Sequence, residues 1–163
     1  MSQLIPIFQA LDTVGDGSGT TNATGNYAAA AQGFKMVCPG GKGHTITQLM
    51  IHIAGPTGFA LTGYGSIAGG VTNGVVIQFS IGGVLTSLNA SMPFKSNDDW
   101  AHASASVNHL TFVGGGDSLV IPFRIQDFGI PLVLAAGDYV QVLLNDDFTG
   151  LTSQHFIAHG YEN

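Results

Sequence analysis

Residues 75–88 read VVIQFSIGGVLTSL, two runs rich in Val, Ile, Leu and Thr that the pair Gly82-Gly83 separates. A two-residue glycine linker between such runs is typical of a β-hairpin, because the favoured tight turn needs positive φ at its central residues. Asn73-Gly74 stands just before the first run and adds a further turn signal. The sequence therefore predicts an antiparallel hairpin here, and this is its strongest local structural signal.

The same pattern of short runs and turns extends from Gly33 to the end of the chain. Runs rich in Val, Ile, Phe and Thr alternate with Gly, Pro and Asn clusters, and helical periodicity is hard to find. On an extended backbone the run HTITQLMIHIA, residues 44–54, divides into two faces, and the face carrying Leu49, Ile51 and Ile53 looks more buried towards its end. Roughly eight such strands predict an all-β, antiparallel β-sandwich, with a jelly roll as its form.

The first part of the chain differs from the rest. A length of 163 residues favours one domain, and we divide it into an N-terminal arm and Gly-rich loop, residues 1–32, and a β-sandwich domain, residues 33–163. The terminal segment LIPIFQAL is apolar, and we interpret it as an edge strand or as an arm that grips a neighbouring subunit. Its candidate partner-contact residues are Leu4, Ile5, Ile7 and Phe8.

Charge is unusually scarce. Charged residues make up 9% of the chain, against about 25% in a typical soluble domain, and this shortage suggests that much of the surface faces other protein. Four Lys and Arg residues stand against ten acidic ones, so no positive patch is available to neutralise phosphates. We expect neither nucleic acid nor an anionic membrane as a partner.

Targeting and redox signals are also few. The chain starts Met1-Ser2-Gln3 without the basic and apolar regions of a secretion signal, and its apolar runs fall short of the roughly 20 residues that a spanning helix needs. Cys38 is the single cysteine, which rules out an internal disulfide. We expect synthesis in a reducing cytoplasm and no cofactor.

Two aspartate doublets are the main candidates for site chemistry. Asp146 and Asp147 follow a predicted strand and precede Phe148-Thr149-Gly150, and we interpret them as the polar turn that ends the strand. Asp98 and Asp99 repeat the arrangement before Trp100. Calcium sites collect oxygen ligands on loops, so a calcium site built from either or both doublets is the competing hypothesis.

Support for catalysis or a zinc site is weak. His155 and His159 lie four apart on a predicted strand, on one face but about 13 Å apart, too far to share one zinc ion without other ligands. Cys38 sits between a strand and Pro39, and no G-x-S-x-G elbow occurs. We expect no enzyme. Aromatic side chains near the loops could stack on a sugar, and the candidates for glycan contact are Tyr64, Trp100 and Phe148.

The order of motifs in the second half carries a resemblance. YGSIAGGVTNGVVIQFS is followed by NDDWAH and then by LAAGDYVQVLLNDDFTGLTSQHFIAHGY. This order resembles a family of small virion proteins of tailed bacteriophages, described as structural or decoration proteins. The likeness spans about Gly15 to Tyr161, and its most distinctive part is the ending from Asn145 to Tyr161.

The resemblance implies a β-sandwich subunit on the virion, often in trimers, and transfers no catalytic residue. We therefore expect a capsid decoration or cement protein, a homotrimer on the capsid surface that is made in the host cytoplasm and contacts the major capsid protein. The alternative is a tail or fibre-tip module that binds host glycans through Tyr64, Trp100 and Phe148. A calcium-stabilised variant of either remains the third hypothesis.

Overall fold

The computed structural model describes residues 4–103, 108–111, 116–125 and 132–163. Within these ranges the regular secondary structure is almost entirely β-strand, with one short helix, α1, at Asn97–Ala103. The strands are β1 (Ile5–Ala10), β2 (Gln32–Val37), β3 (His44–Gly55), β4 (Val76–Ile81), β5 (Val84–Ser87), β6 (Asn108–Thr111), β7 (Asp117–Arg124), β8 (Leu132–Leu134), β9 (Tyr139–Leu144) and β10 (Ser153–Glu162).

The strands form two antiparallel sheets. The first sheet has the order β1-β10-β3-β7-β6, with β8 pairing on the early part of β3. The second sheet has the order β2-β9-β4-β5. The prediction of an all-β antiparallel sandwich is confirmed. Because most neighbouring strands, apart from the pairs β4–β5 and β6–β7, come from distant parts of the sequence, the core depends on long-range strand pairing.

The hairpin predicted from residues 75–88 is present. Ile81 and Val84 are paired across the turn, and Gly82 and Gly83 have φ of 57° and 81°. Positive φ at both central residues is what a type I′ turn requires, and glycine adopts it without a side-chain clash. The turn chemistry therefore fixes the register of β4 on β5.

The long strand β3 shows why its later half looked more buried. Gln48 pairs with His159 and Ile46 with Gly160, so the register shifts by one residue and Thr47 is left over as a bulge. The bulge brings Ile46 to the core side at one end while Leu49, Ile51 and Ile53 point to the core beyond it, all fully buried. The predicted burial of Leu49, Ile51 and Ile53 is confirmed.

The segment before Gly33 packs on the sandwich. All of β1 pairs with β10, from Ile5 opposite Glu162 to Ala10 opposite Ile157. Leu11 is fully buried, and its N–H donates to the Phe156 carbonyl at 2.8 Å. Of the two interpretations of the terminal segment, the structure shows the edge strand. The loop that follows is also anchored, because the fully buried Ala23 donates its N–H to the Gln154 carbonyl at 2.8 Å.

The helix α1 contains Asp98 and Asp99, which the sequence pattern predicted to form a turn like that at Asp146 and Asp147, so that prediction is wrong. Its start has the form of a capping box, in which the Ser96 hydroxyl accepts the Asp99 N–H at 3.2 Å and the Asp99 carboxylate accepts the Ser96 N–H at 2.9 Å. The pattern Ser-x-x-Asp was readable in the sequence. No helix within the described residues is long and apolar enough to cross a membrane.

Candidate functional site

The three aromatic residues proposed for glycan contact lie inside the protein. Tyr64, Trp100 and Phe148 are each 0% exposed. Tyr64 packs edge-on against Phe148 with ring centroids 5.3 Å apart, and its centroid lies 6.5 Å from that of Trp100. Burial raises the pKa of the Tyr64 hydroxyl far above its usual range. A stacked sugar needs an open ring face, so the interpretation of these residues as a glycan platform is wrong.

The side chain of Asn97 fixes the loop that contains Ala60 and Gly65 over this aromatic cluster. The Asn97 side chain donates to the carbonyls of Ala60 and Gly65, at 2.8 and 3.1 Å, and accepts the Gly65 N–H at 2.7 Å. The amide is nearly fully buried, so these bonds replace those it would make to water. Its partners lie more than thirty residues away, and no local pattern in the sequence indicates the contact.

Asp146 is a structural acceptor inside the protein. Its carboxylate accepts the backbone N–H groups of Thr72, Asn73 and Gly74 at 2.8–3.1 Å, and the Asn73 side-chain amide at 3.2 Å. Consecutive N–H groups of this kind form a concavity that binds anions, and here the protein's own carboxylate fills it. Gly74 has φ of 84°, which the loop needs to aim these donors.

The carboxylate of Asp147, unlike that of Asp146, lies at the protein surface. Its Oδ1 accepts the Thr149 N–H at 3.0 Å and the Thr149 hydroxyl at 2.6 Å, while Oδ2 accepts the Asn26 side-chain amide at 3.0 Å. The hydroxyl and N–H of Thr149 lower the pKa of the Asp147 carboxyl, which lies at the surface. The predicted turn is present at Asp147, whereas for Asp146 that prediction is incomplete because its partners lie in a distant loop.

The second doublet belongs to the helix start. Asp99 accepts the N–H groups of Lys95 and Ser96 at 2.7 and 2.9 Å, and exposed Asp98 lies 3.6 Å from the His102 ring. Nowhere in the described ranges do three or more His, Cys, Asp or Glu side chains gather around one possible metal position. The oxygens of Asp99 and Asp146 face N–H donors, an arrangement that repels a cation.

His155 and His159 of β10 share one face of the first sheet, as their spacing predicted, and it is the outer face because the alternating Phe156 and Ala158 are fully buried. The rings of His155 and His52 stack across the strands with centroids 6.3 Å apart. His159 packs against Phe8 of β1 at 4.6 Å. Burial, with a smaller contribution from His155, lowers the pKa of His52.

Cys38 is packed in the interior. It is 1% exposed, and its sulfur lies 3.4 Å from the Lys42 carbonyl and 3.6 Å from the Leu134 carbonyl. Burial raises the pKa of the Cys38 thiol. Because the thiolate is the nucleophilic form, this environment disfavours covalent chemistry at Cys38.

The candidate partner-contact residues form an exposed apolar edge. Leu4, Ile5 and Phe8 are 60%, 54% and 72% exposed. Ile7 differs, since it is half-buried and packs against the core, so its assignment as a contact residue is corrected. We call the β1 strand together with Leu4 the β1 edge. It carries no charged side chain.

Among the described residues, the loop after β1 covers the β2 edge of the second sheet, whereas no strand is paired with the outer side of Ile5–Ala10. Asp12 and Lys35 exchange backbone hydrogen bonds at 2.8 and 3.0 Å, and the Val37 N–H donates to the Gly15 carbonyl at 2.8 Å, so the loop after β1 shields β2. Within the described residues, β1 ends its sheet with β10 as its single partner. Natural proteins usually guard such edges with charges, bulges or covering loops.

The outer faces of the two sheets also differ in the polarity of their side chains. On the second sheet, the Gln141 side chain donates to that of Gln78 at 2.7 Å, and Gln78 donates to the Ser87 hydroxyl at 3.0 Å, which makes a polar row. On the first sheet, Ile157 and Met50 are paired next to Ala10 of β1. Exposed large apolar side chains occur on the β1 edge and also on the β4–β5 hairpin, where Ile81, Val84 and Leu85 are 40%, 67% and 51% exposed.

Comparison of the chain with models of protein families, with curated proteins and with solved structures finds no match.

Proposed function

We propose that the protein is a structural protein of a tailed-bacteriophage virion, a decoration or cement protein that binds the capsid surface and bridges capsid subunits. The observation that carries the proposal is the β1 edge, an apolar, uncharged strand at the border of its sheet whose single strand partner within the described residues is β10. The family resemblance supplies the virion setting, and with it the jelly-roll form, the homotrimer and the major capsid protein as a partner.

Surface chemistry supports a role in assembly. Leu4, Ile5 and Phe8 expose large apolar side chains on one strand, and contiguous apolar surface usually marks a contact with protein or membrane. The chain has too few positive charges to favour an anionic membrane. A standard protein interface of about 1,600 Å² would extend beyond the edge onto the adjoining outer face of the first sheet.

Binding to undecorated phage heads tests the proposal. Purified wild-type protein should sediment with the heads, and Phe8→Asp should reduce the bound fraction at least tenfold, because it places a charge in an apolar contact. Val84→Asp is the matched control, since Val84 is 67% exposed on β5, the border strand of the other sheet. Its binding should equal that of the wild type.

Because the β1 edge has no charge, raising the salt concentration should change wild-type binding little. Wild-type protein that stays in the supernatant at every concentration would overturn the proposed function. Equal loss of binding in Phe8→Asp and Val84→Asp would show that the β1 edge is not the contact. The alternative glycan-binding module has lost its three proposed contact residues to the core and is not carried further.

A further inference from the structure

A pair of histidines faces outward from the middle of the first sheet. His52 of β3 lies directly opposite His155 of β10 in the strand register, and the two ring centroids are 6.3 Å apart. Directly opposite residues of an antiparallel pair have Cβ atoms about 4.5–5.5 Å apart. Rotation about the side-chain bonds alone can therefore turn a nitrogen of each ring into the space between the two side chains.

The backbone under this histidine pair is fixed by the core. β10 pairs with β3 along its whole length, and β3 pairs on its other side with β7. The inward-facing neighbours Ile51, Ile53 and Phe156 are fully buried. Because packed strands hold side chains more precisely than loops do, His52 and His155 are presented to solvent at a constant separation.

The surroundings of the pair suit a neutral imidazole with free nitrogens. Burial lowers the pKa of His52 below its ordinary value, and the unprotonated ring is the form that binds a metal ion. In the part of the chain that the structure describes, no hydrogen bond occupies a nitrogen of either ring. The adjacent positions of this face are all uncharged, namely Met50, Ala54, Val120, Ser153 and Ile157.

We propose that His52 and His155 chelate one divalent transition-metal ion, with solvent completing its coordination. Imidazole nitrogen is a preferred ligand of Zn²⁺, Ni²⁺ and Cu²⁺, whereas Ca²⁺ and Mg²⁺ take oxygen ligands. Metal–nitrogen distances of about 2.0–2.1 Å place the two nitrogens within about 4 Å of each other. Rings whose centroids are 6.3 Å apart need little movement to meet this requirement.

The site differs from the pair that the sequence suggested on β10 alone. His155 and His159 are separated by about 13 Å along one strand, and the Nε2 atom of His159 is buried beside Phe8. Sheet pairing brings His52 to His155 from a distant part of the sequence instead. No third His, Cys, Asp or Glu joins them among the residues described, so the site is a two-ligand chelate across two strands.

Nickel titration of the purified wild-type protein, followed by calorimetry, tests the chelate. We expect one Ni²⁺ ion per chain. His52→Ala and His155→Ala should each weaken Ni²⁺ binding at least tenfold, because each leaves a single ring. His102→Ala is the matched control, since the His102 side chain is 73% exposed on α1 and has no histidine opposite it. Its affinity for Ni²⁺ should equal that of the wild type, and Ca²⁺ should not compete.

Thermal unfolding gives a second measurement. An ion that binds the folded chain alone raises its melting temperature, so Ni²⁺ should stabilise the wild type and His102→Ala but neither His52→Ala nor His155→Ala. Without metal, both variants should remain folded because the two side chains lie on the outer face of the sheet. Sedimentation should give the same protein mass with and without Ni²⁺, as expected for a site within one chain.

Four results would overturn the proposal. They are no Ni²⁺ binding by the wild type, an equal loss of binding in His102→Ala, wild-type affinity in either single variant of the pair, and a mass that increases when Ni²⁺ is added. The last result would indicate an ion held between two copies of the chain. The test needs no phage heads, so its outcome is independent of the proposed function.

Discussion

Two aspartate doublets stand before an aromatic residue in this chain, and the fold uses them differently. Asp98 and Asp99 lie in the first turn of α1, and their side chains contact residues within four positions along the chain. Asp146 reaches a loop more than seventy residues away, while Asp147 closes a local turn. The two Asp-Asp doublets therefore have three structural roles. Asp99 caps a helix, Asp147 forms a surface turn, and Asp146 links two loops inside the protein.

The difference shows how the reach of a side chain's partners determines its importance. Asp99 bonds to groups within four residues, and Asp147 bonds to Thr149 and to the exposed side chain of Asn26, so neither carboxylate is a buried acceptor for a set of distant backbone N–H groups. Asp146 connects the end of β9 to the loop before β4. Removing it therefore leaves several distant N–H groups without an acceptor at once.

Replacing Asp146 should give the largest effect. Asp146→Asn keeps the shape but turns one acceptor oxygen into an amide that faces N–H donors, and we expect a loss of about 3 kcal/mol in the free energy of unfolding. Urea titration followed by Trp100 fluorescence measures it. Asp98→Asn, at an exposed position, is the matched control and should change stability by less than about 0.5 kcal/mol.

A loss at Asp146→Asn no greater than that at Asp98→Asn would contradict this account of the buried carboxylate. It would mean that water can replace the link between the two loops. A large loss in the free energy of unfolding at both positions would instead support the hypothesis of a calcium site shared by the two doublets.

The helix cap should give a moderate effect. Asp99→Ala removes the acceptor for two N–H groups at the start of α1, and caps of this type contribute about 1 kcal/mol. Trp100 lies next in the chain and is fully buried, so its emission should shift to longer wavelength if the first turn loosens. Asp99→Asn retains one acceptor and should recover part of the loss; an unshifted emission in Asp99→Ala would argue against the cap.

The features that sequence reasoning predicted are those with local causes. Gly82-Gly83 specifies a turn by itself, and alternation along β3 specifies which side chains are buried. The cap at Ser96 and Asp99 also has a local signature that could have revealed α1. By contrast, the link from Asp146 to Gly74 depends on which loops the completed sheets bring together.

The aromatic residues illustrate the same limit. A ring beside a Gly-rich loop is equally compatible with a sugar platform and with packing, because sequence alone does not show whether the loop folds over it. Here the bonds from Asn97 to Ala60 and Gly65 hold that loop over the cluster, and Tyr64 becomes part of the core. The position of Phe8 on a border strand was predicted only as one of two alternatives, an edge strand or an arm on a neighbouring subunit, because the apolar pattern of LIPIFQAL fits both.

The surface turn at Asp147 should give the smallest effect, and pH separates it from the buried neighbour. Hydrogen bonds from Thr149 lower the pKa of Asp147 in the folded protein below its ordinary value of 3.8. The stabilisation is therefore present at neutral pH and is lost as the pH falls through the folded pKa. Asp147→Asn should melt slightly below the wild type at pH 7, and the two melting curves should converge in acid. Asp98→Asn serves again as the exposed control. A difference between Asp147→Asn and the wild type that persists unchanged in acid would mean that the carboxylate charge is not what Thr149 stabilises, and the contrast between the two halves of the doublet would then rest on burial alone.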